Sequence, residues 1–383
     1  MISTKSNENL NKKEELEKDD NDIEEEKDEI NELNIKKVIQ YFARRNSVVK
    51  ILREIGNEDK IKTKNNENVK NNHLVLEGLI HHVNLMSSPE KLTILEQNSV
   101  IPIFSDSDYI YDDIIGEGSN ANVYLVKENK TNKEFAIKKM VCQEFNDLIK
   151  IKRKLEIINS LNHNNIMKVH KIQFKCLDFT TYAINIVMDL AITDWNNEIK
   201  ERAETQNFYT EKEIINIAKQ IIDGLAFLQK NNIAHRDIKP QNILIFPNNI
   251  YKIADLGEMM EDIKNFEKQL TIRGSTNFLS PALKNGLIQN KGVVKHNAYK
   301  SDVFSLGYCF LYAMSLNLEV LENAREFWGD KNYQKIEIEI KKYIGKDKYS
   351  SKLYNFIDKM IVENEEERKD FIGLFKELDY LDN

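Results

Sequence analysis

The sequence predicts an α+β protein of two lobes, a small β-rich lobe followed by a larger helical lobe. From about residue 109, short β-branched and aromatic runs (110–115, 123–126 and 135–138) alternate with turns, which is typical of antiparallel strands. After about residue 210 the apolar residues recur with helical spacing, as in EIINIAKQIIDGLAFLQK. A strand-rich portion followed by a helix-rich portion predicts two lobes with a cleft between them.

Length and composition narrow the class of protein. The chain has 383 residues, of which 41% are hydrophobic, and a formal net charge of −7. The negative charge argues against a general nucleic-acid binder, which needs a basic face. No apolar run reaches bilayer length and no secretory signal pattern is visible. Three widely spaced cysteines fit neither a disulfide framework nor a zinc site. We therefore expect a cytoplasmic protein without a membrane span.

The residues before 109 divide into two segments. Residues 1–34 carry too few apolar side chains to offset the entropy of ordering, so we expect an acidic, low-complexity, disordered tail. Residues 35–105 show helical apolar spacing and loosely resemble armadillo-type repeats, which need about three stacked units to bury their faces. Two ordinary helices that dock on the neighbouring domain are an equal alternative. Either arrangement could bind a regulatory partner.

A glycine-bearing turn joins the first two predicted strands, in the run IIGEGSNANV. Gly116 and Gly118 lack Cβ atoms, so backbone N–H groups there can approach phosphate oxygens closely. Ala121 takes the position of a third glycine. A strand follows the turn where a dinucleotide-binding site would have a helix, which favours a loop folded over a nucleotide. The residues of this candidate phosphate site are Gly116, Gly118, Ser119, Ala121 and Val123.

The strongest functional signal is the run HRDIKPQN, from His235 to Asn242. It matches the H-R-D-x-K-x-x-N catalytic loop of eukaryotic-type protein kinases residue for residue. Three further runs resemble the same family: FAIK ending at Lys138, ADLG containing Asp255, and DVFSLG starting at Asp302. The resemblance covers residues 109–383 and identifies them as a protein kinase domain.

The resemblance implies a two-lobed protein kinase fold that binds ATP and Mg²⁺ in its cleft. In this family Asp237 would orient the attacking hydroxyl, Lys239 would steady the transferring phosphoryl group, and Lys138 would hold the α and β phosphates. Asn242 and Asp255 would ligate Mg²⁺. The residues implied around the adenine are Ala136, the gatekeeper Met188, Asp189 and Ala191.

The substrate class follows from the catalytic loop. Lys239, two residues after Asp237, is the arrangement of the serine/threonine enzymes, and Ser275 stands where those enzymes place a threonine. The resemblance therefore implies transfer of the γ-phosphoryl of Mg-ATP to a serine or threonine of a protein substrate. Arg236 could pair with a phosphate on Thr271, although an ordinary exposed threonine is an equal alternative.

The helix after the third strand departs from the family pattern. Counting back from His163 places Lys154 where the family has a glutamate that pairs with the strand lysine. Glu156 is nearby, but two residues along a helix turn it about 200° away. A local insertion, a shifted helix, or another acid such as Glu144 or Asp147 could restore the pair. Without one, the strand lysine faces a like charge.

The second departure is Ala282, in place of the glutamate of A-P-E, which leaves Arg368 without its usual partner. Arg368 would then be exposed or would pair with Glu363, Glu365 or Glu366. These departures keep a second hypothesis open, a nucleotide-binding pseudokinase or scaffold that acts through protein–protein interaction. A third, an armadillo-like interaction protein with an incidental kinase domain, rests only on the loose repeat.

Overall fold

The computed structural model of the protein describes residues 88–118, 121–178, 181–261, 268–323, 333–344 and 348–381. The predicted tail over 1–34 and most of the predicted helical segment over 35–105 lie outside these residues, and so does Ser119 of the glycine turn. These assignments therefore stay predictions. Within the described part of the chain, no helix is long and apolar enough to cross a membrane.

The β-rich lobe contains one five-stranded antiparallel sheet. Its strands are β1 (Tyr109–Glu117), β2 (Ala121–Glu128), β3 (Glu134–Cys142), β4 (Val169–Cys176) and β5 (Tyr182–Asp189). They lie in the order β1-β2-β3-β5-β4. Asn132, with a φ of 59°, closes the turn between β2 and β3 in a conformation that asparagine tolerates well. The register pairs Ala136 with Met188 and Lys138 with Ile186, so the candidate nucleotide residues lie on neighbouring strands.

Two helices pack on this sheet, α1 (Ser88–Gln97) and α2 (Phe145–Ser160). Helix α2 is amphipathic and buries Leu148, Leu155 and Ile158 in the core beside β4 and β5. Helix α1 contacts β4 and covers only the end of the predicted helical segment. It does not decide between the repeat and the docking alternatives.

The second lobe is mainly helical, as predicted. Its helices are α3 (Trp195–Glu204), α4 (Glu211–Lys230), α5 (Pro281–Ile288), α6 (Ala298–Ser315), α7 (Val320–Asn323), α8 (Tyr333–Ile344), α9 (Ser351–Asp358) and α10 (Phe371–Phe375). Helix α4 begins with a capping box between Thr210 and Glu213. Helix α6 is buried along nearly its whole length, which makes it a rigid base for the catalytic loop.

Two small sheets position the loops of the cleft. Strands β6 (Thr193–Asp194), β7 (Ile243–Phe246) and β8 (Ile250–Ile253) form an antiparallel sheet in that order. The β7–β8 hairpin places Asn242 just before its first strand and Asp255 just after its second. Strand β9 (Lys268–Thr271) precedes α5 in the sequence and pairs with β10 (Val293–His296), which follows it. The sequence analysis did not predict this pairing.

Candidate active site

Asp302, at the start of α6, anchors the catalytic loop. Its carboxylate accepts the backbone N–H of His235 at 2.8 Å and of Arg236 at 2.9 Å. Arg236 has a φ of 68°, in the left-handed region that residues with a Cβ rarely adopt. Asp302 is itself buried. Its two hydrogen bonds therefore stabilise a strained backbone directly before the candidate catalytic aspartate.

His235 links the catalytic loop to the residue before Asp255. Its Nε2 lies 2.9 Å from the carbonyl oxygen of Ala254, and its Nδ1 accepts the backbone N–H of Asp237 at 3.2 Å. This pair of hydrogen bonds requires a neutral ring with its proton on Nε2. Burial lowers the pKa of His235, although the Ala254 carbonyl and the Asp237 carboxylate oppose that shift. The ring is therefore neutral at pH 7 and fixes the backbone of Asp237.

Asp237 lies at the centre of a cluster of polar side chains. Nζ of Lys239 is 2.9 Å from Oδ2 of Asp237 and donates to Oγ of Ser275 at 3.0 Å. Ser275 Oγ in turn donates to Oδ1 of Asp237 at 3.1 Å. Asn242 Nδ2 donates to Oδ2 of Asp237 at 3.0 Å and to its backbone carbonyl at 2.8 Å. The carboxylate is thus held in one orientation, in which it can direct an incoming hydroxyl and accept its proton.

Lys138 and Asp255 form an ion pair across the cleft, with Nζ 2.8 Å from Oδ1. Asp255 also has a left-handed backbone, with a φ of 56°. The N–H of Ala254 donates to the carbonyl oxygen of Asn242 at 2.8 Å, which keeps the two predicted metal ligands on adjoining segments. Burial opposes ionisation of Asp255, but the hydrogen bond and charge of Lys138, together with the charge of Lys239, outweigh burial and lower its pKa. The carboxylate is therefore charged and suited to bind a cation.

The glycine turn between β1 and β2 faces the catalytic loop across a cavity. Gly116 pairs with Val123 in the β1–β2 register, and the N–H of Gly118 donates to the carbonyl oxygen of Ala121 at 2.8 Å. A cavity of about 440 Å³ opens between this turn and the catalytic loop. It is lined by Glu117, Gly118, Lys239, Gln241, Asn242, Ser275, Thr276, Asn277 and Phe278. The cavity thus connects the candidate phosphate site with the neighbours of Asp237.

An apolar surface lies where the family places the adenine. Three half-buried side chains, Met188, Ala191 and Leu244, pack on the buried cluster of Met167, Phe246 and Ala254. Ala136 is opposite Met188 in the sheet. Leu244 was missed by the sequence analysis, although its position two residues after Asn242, on a short strand, could have indicated it.

Asp189 turns its side chain away from this surface. Its Oδ1 accepts a hydrogen bond from Nε2 of His170 at 2.8 Å, and Lys252 lies 3.6 Å from the other oxygen. The hydrogen bond from His170 is the main cause, and with the charges of Lys252 and Lys133 it outweighs burial and lowers the pKa of Asp189 to about 2. The carboxylate of Asp189 is therefore already bound by His170 and Lys252, which leaves its backbone groups for binding a nucleotide.

No acid of α2 pairs with Lys138 in the described chain. Asp147, one of the acids considered from the sequence, pairs with Lys150 at 3.1 Å, and Glu156 pairs with Lys152. Glu144 precedes α2 at its N-terminal cap. Lys154 donates to the backbone carbonyl of Gly257. The expected pair is therefore absent, and the acid that holds the strand lysine is Asp255 instead.

Arg368, which lacks its usual glutamate partner because of Ala282, is buried and not exposed. Its guanidinium donates to the carbonyl oxygens of Val362 at 2.6 and 2.8 Å, Lys300 at 2.9 Å and Glu363 at 3.0 Å. Burial lowers the pKa of Arg368 to about 10, with the charge of Glu365 opposing that shift. The group therefore stays charged at neutral pH, and backbone carbonyls take the role of the missing glutamate.

Arg236 contacts the predicted phosphorylation position. Its Nη2 donates to the carbonyl oxygen of Thr271 at 2.6 Å and to the Thr271 hydroxyl at 3.1 Å. The threonine is exposed and lies at the end of β9. Both the phosphorylated and the unmodified threonine are compatible with this contact, so phosphorylation of Thr271 stays a prediction.

The comparisons with known proteins agree with this geometry. The family model of the protein kinase domain matches residues 109–377. Serine/threonine-protein kinase PLK4 of Drosophila grimshawi is 27% identical over 212 residues, 54% of this chain and 26% of that protein. Aurora kinase of Yarrowia lipolytica is 28% identical over 210 residues, 53% and 51% of the two chains.

A third similar protein is calcium/calmodulin-dependent protein kinase type IV of Homo sapiens, 29% identical over 175 residues, 45% of this chain and 35% of that protein. The matched region thus spans about a quarter to a half of the length of these relatives. All three names are those of protein kinases, and the family model covers most of the chain. The chain therefore belongs to the protein kinase family, and one of the three relatives, PLK4, is a serine/threonine-protein kinase by name.

Proposed function

We propose that the protein is an active serine/threonine kinase that transfers the γ-phosphoryl group of Mg-ATP to a hydroxyl of a protein substrate. The observation that carries this proposal is the cluster around Asp237, in which both carboxylate oxygens are hydrogen-bonded by Lys239, Ser275 and Asn242. A binding protein has no need to fix a carboxylate beside the cavity that opens under the glycine turn. A phosphoryl-transfer enzyme does, because positioning supplies much of its catalysis.

The residues of the cleft fit ATP. The apolar surface of Met188, Ala191 and Leu244 suits a purine ring, and the backbone after β5 can bind its polar edge. The N–H groups of the glycine turn and the ammonium of Lys138 suit phosphates. On ATP binding, Lys138 would exchange its ion pair with Asp255 for the phosphates.

The same region fits Mg²⁺. Nδ2 of Asn242 is used by Asp237, which leaves its Oδ1 free to ligate a cation beside the charged carboxylate of Asp255. Proteins usually bind Mg²⁺ through one or two side chains, with phosphate oxygens and water completing the shell. When bound, Mg²⁺ would neutralise charge on the phosphates.

Asp237 would orient the substrate hydroxyl and take its proton as the oxygen attacks phosphorus. Lys239, 2.9 Å from Asp237, would steady the transferring group by its positive charge. Ser275 joins these two residues through its hydroxyl. Lys239 and Ser275 also support the serine/threonine class, in agreement with the name of the PLK4 relative.

The alternative proposal is a nucleotide-binding pseudokinase or scaffold. One observation favours it: α2 supplies no acid to Lys138, and the lysine pairs with a predicted metal ligand instead. Two lesser proposals accompany the main one, a cytoplasmic location and a regulatory partner that binds through the N-terminal helical segment.

Transfer of labelled γ-phosphate from Mg-ATP to the protein and to a generic basic substrate tests the proposal. We expect Asp237→Asn to slow transfer by about 10²- to 10⁴-fold, the usual contribution of a positioned base. Asp147→Asn, which changes an exposed acid of α2, is the matched control and should transfer at the wild-type rate. Acid hydrolysis should release phosphoserine or phosphothreonine.

Absence of transfer by the wild-type chain, with ATP still raising its melting temperature, would favour the pseudokinase. Phosphotyrosine as the main product would refute the substrate class. Equal transfer by wild type and Asp237→Asn would refute the assigned role of Asp237.

A further inference from the structure

We propose that Lys154 is a positioning residue that holds Asp255 ready for Mg²⁺ through the backbone of Gly257. The proposal rests on the function proposed above and deepens it. The family resemblance predicts an acid on α2 that pairs with Lys138. In this chain α2 has Lys154 at that position, and Lys154 binds the turn that follows Asp255.

The first step is the contact itself. Nζ of Lys154 donates to the carbonyl oxygen of Gly257, which lies 103 positions away in the sequence. Gly257 is the middle residue of a short 3-10 turn, Leu256–Glu258, that follows Asp255 directly. The turn is closed by the N–H of Met259, which donates to the Leu256 carbonyl at 3.2 Å. Helix α2 therefore contacts the metal-ligand segment directly.

The second step is the closeness of Gly257 to the carboxylate of Asp255. A Cβ atom added at Gly257 would lie 3.3 Å from Oδ1 of Asp255. Little space separates the two, so a shift of the turn at Gly257 would move the carboxylate or its surroundings. Nζ of Lys138 pairs with the same oxygen, Oδ1. Two lysines from two elements thus bind one three-residue segment, Lys138 at its carboxylate and Lys154 at its last carbonyl.

The third step is the pattern of charges around this contact. Arg153, the neighbour of Lys154 on α2, pairs with Glu261. Glu258 attracts Lys154 electrostatically and pairs with Arg273 at 3.3 Å. Arg236 and Arg273 also lie near enough to disfavour the charge of Lys154, so both signs of charge surround this position. An acid at position 154 could make no hydrogen bond to the Gly257 carbonyl and would be repelled by that oxygen and by Glu258, whereas the two arginines would attract it.

The proposal is tested by Mg²⁺ titrations of nucleotide binding to the full chain, with a fluorescent ATP analogue as the probe. Lys154→Met should raise the Mg²⁺ concentration at half-saturation by about 10-fold, the lower end for loss of a group that orients a metal ligand. Lys154→Glu should raise it further because it reverses the charge. Lys154→Arg keeps a donor and should stay within about twofold of wild type.

Three controls separate positioning from damage to the fold. Lys150→Met changes another lysine of α2, exposed and paired within the helix, and should leave the Mg²⁺ response unchanged. Binding of the analogue in EDTA should be equal in all variants, because Lys154 contacts the metal-ligand segment and not the adenine surface. A melting temperature close to that of wild type confirms that each variant is folded.

An unchanged Mg²⁺ response in Lys154→Met and Lys154→Glu would overturn the proposal, and so would tighter Mg²⁺ binding by Lys154→Glu. Phosphate transfer by the wild type alongside equal Mg²⁺ responses would refute only the role of Lys154. Distinct Mg²⁺ responses without any transfer would support Lys154 and refute the proposed enzyme activity. The binding readout therefore keeps the two proposals separate.

Discussion

The chain lacks a family acid in two places, one in each lobe, and the two losses have different structural consequences. In the helical lobe, Ala282 leaves Arg368 without a glutamate, and backbone carbonyl oxygens replace it. In the β-rich lobe, Lys154 replaces the glutamate itself, and α2 contacts Gly257 rather than the strand lysine. The first change exchanges one acceptor for another. The second reverses the charge on the helix and changes its partner.

The difference shows what each acid is needed for. A buried guanidinium requires acceptors for its five N–H donors, and neutral carbonyls can provide them without an opposite charge. At the proposed phosphate and metal site, the charge of a side chain matters more, because it determines which atoms the side chain can approach. We therefore expect substitutions around Arg368 to change stability and substitutions at Lys154 to change metal binding.

The largest expected effect is on the stability of the helical lobe. Arg368→Leu would remove the donors to three partly buried carbonyls and the contact of the guanidinium with the ring of Phe304. We expect the free energy of unfolding in urea to fall by about 3 kcal/mol, which takes the low end of about 1–3 kcal/mol for each carbonyl because water can reach part of this site. Arg368→Lys should recover only part of this, because a single ammonium cannot reach all three carbonyls. A loss below about 1 kcal/mol for Arg368→Leu would show that the carbonyls do not depend on Arg368.

The catalytic loop, which keeps every family residue, should give an intermediate effect that depends on pH. Burial lowers the pKa of His235 below its ordinary value of 6.5. The folded protein then binds fewer protons than the unfolded chain, so the stability from the neutral ring is complete above pH 6.5 and is lost as the pH falls below it. Asp302 contributes with the opposite sign in the same range, because burial raises its pKa to about 7. The decline that belongs to His235 is therefore measured as the difference in melting temperature between wild type and His235→Phe, which should decrease from pH 7.5 to 5.

The decline should be reduced in His235→Phe and not abolished, because burial lowers the pKa of His296 as well. His296→Phe is therefore the matched control, and the two substitutions together should flatten the curve further than either alone. An unchanged decline in His235→Phe would contradict a neutral, buried His235.

The smallest effect is expected where the family acid is restored in the helical lobe. Ala282→Glu should change the free energy of unfolding by no more than about 0.5 kcal/mol, because Arg368 already has its acceptors. The result can be compared with Lys154→Glu. Restoring the family acid at position 282 should leave stability nearly unchanged, whereas restoring it at position 154 should weaken metal binding. A gain of about 1 kcal/mol or more from Ala282→Glu would show that the carbonyls are a poor substitute.

Contiguous features were the ones that the sequence could predict. The strands β1, β2 and β3 follow from local β-branched runs, and the two-lobed fold follows from the change of periodicity after residue 210. The cluster around Asp237 was also predictable in large part, because Lys239 and Asn242 lie within a few residues of it. Ser275 is distant from Asp237 in the sequence, but the family resemblance indicated its place near the catalytic loop.

Contacts between distant segments could not be predicted. Gly257 lies far from Lys154 in the sequence, and nothing local shows which atom the side chain of a helical lysine will reach. The carbonyl partners of Arg368 give no signal either, since every residue has a carbonyl. The β9–β10 pairing joins strands on either side of α5 and depends on tertiary packing.

A crystal structure of the full chain with Mg²⁺ and a non-hydrolysable ATP analogue tests most directly the claim that this site works with a base on α2. The account predicts that Nζ of Lys138 binds the phosphates, that Asn242 and Asp255 bind Mg²⁺, and that Lys154 still donates to Gly257. No acid of α2 should lie within hydrogen-bond distance of Lys138. A structure in which Glu156 or Asp147 rotates to pair with Lys138, with Lys154 released from Gly257, would contradict the account.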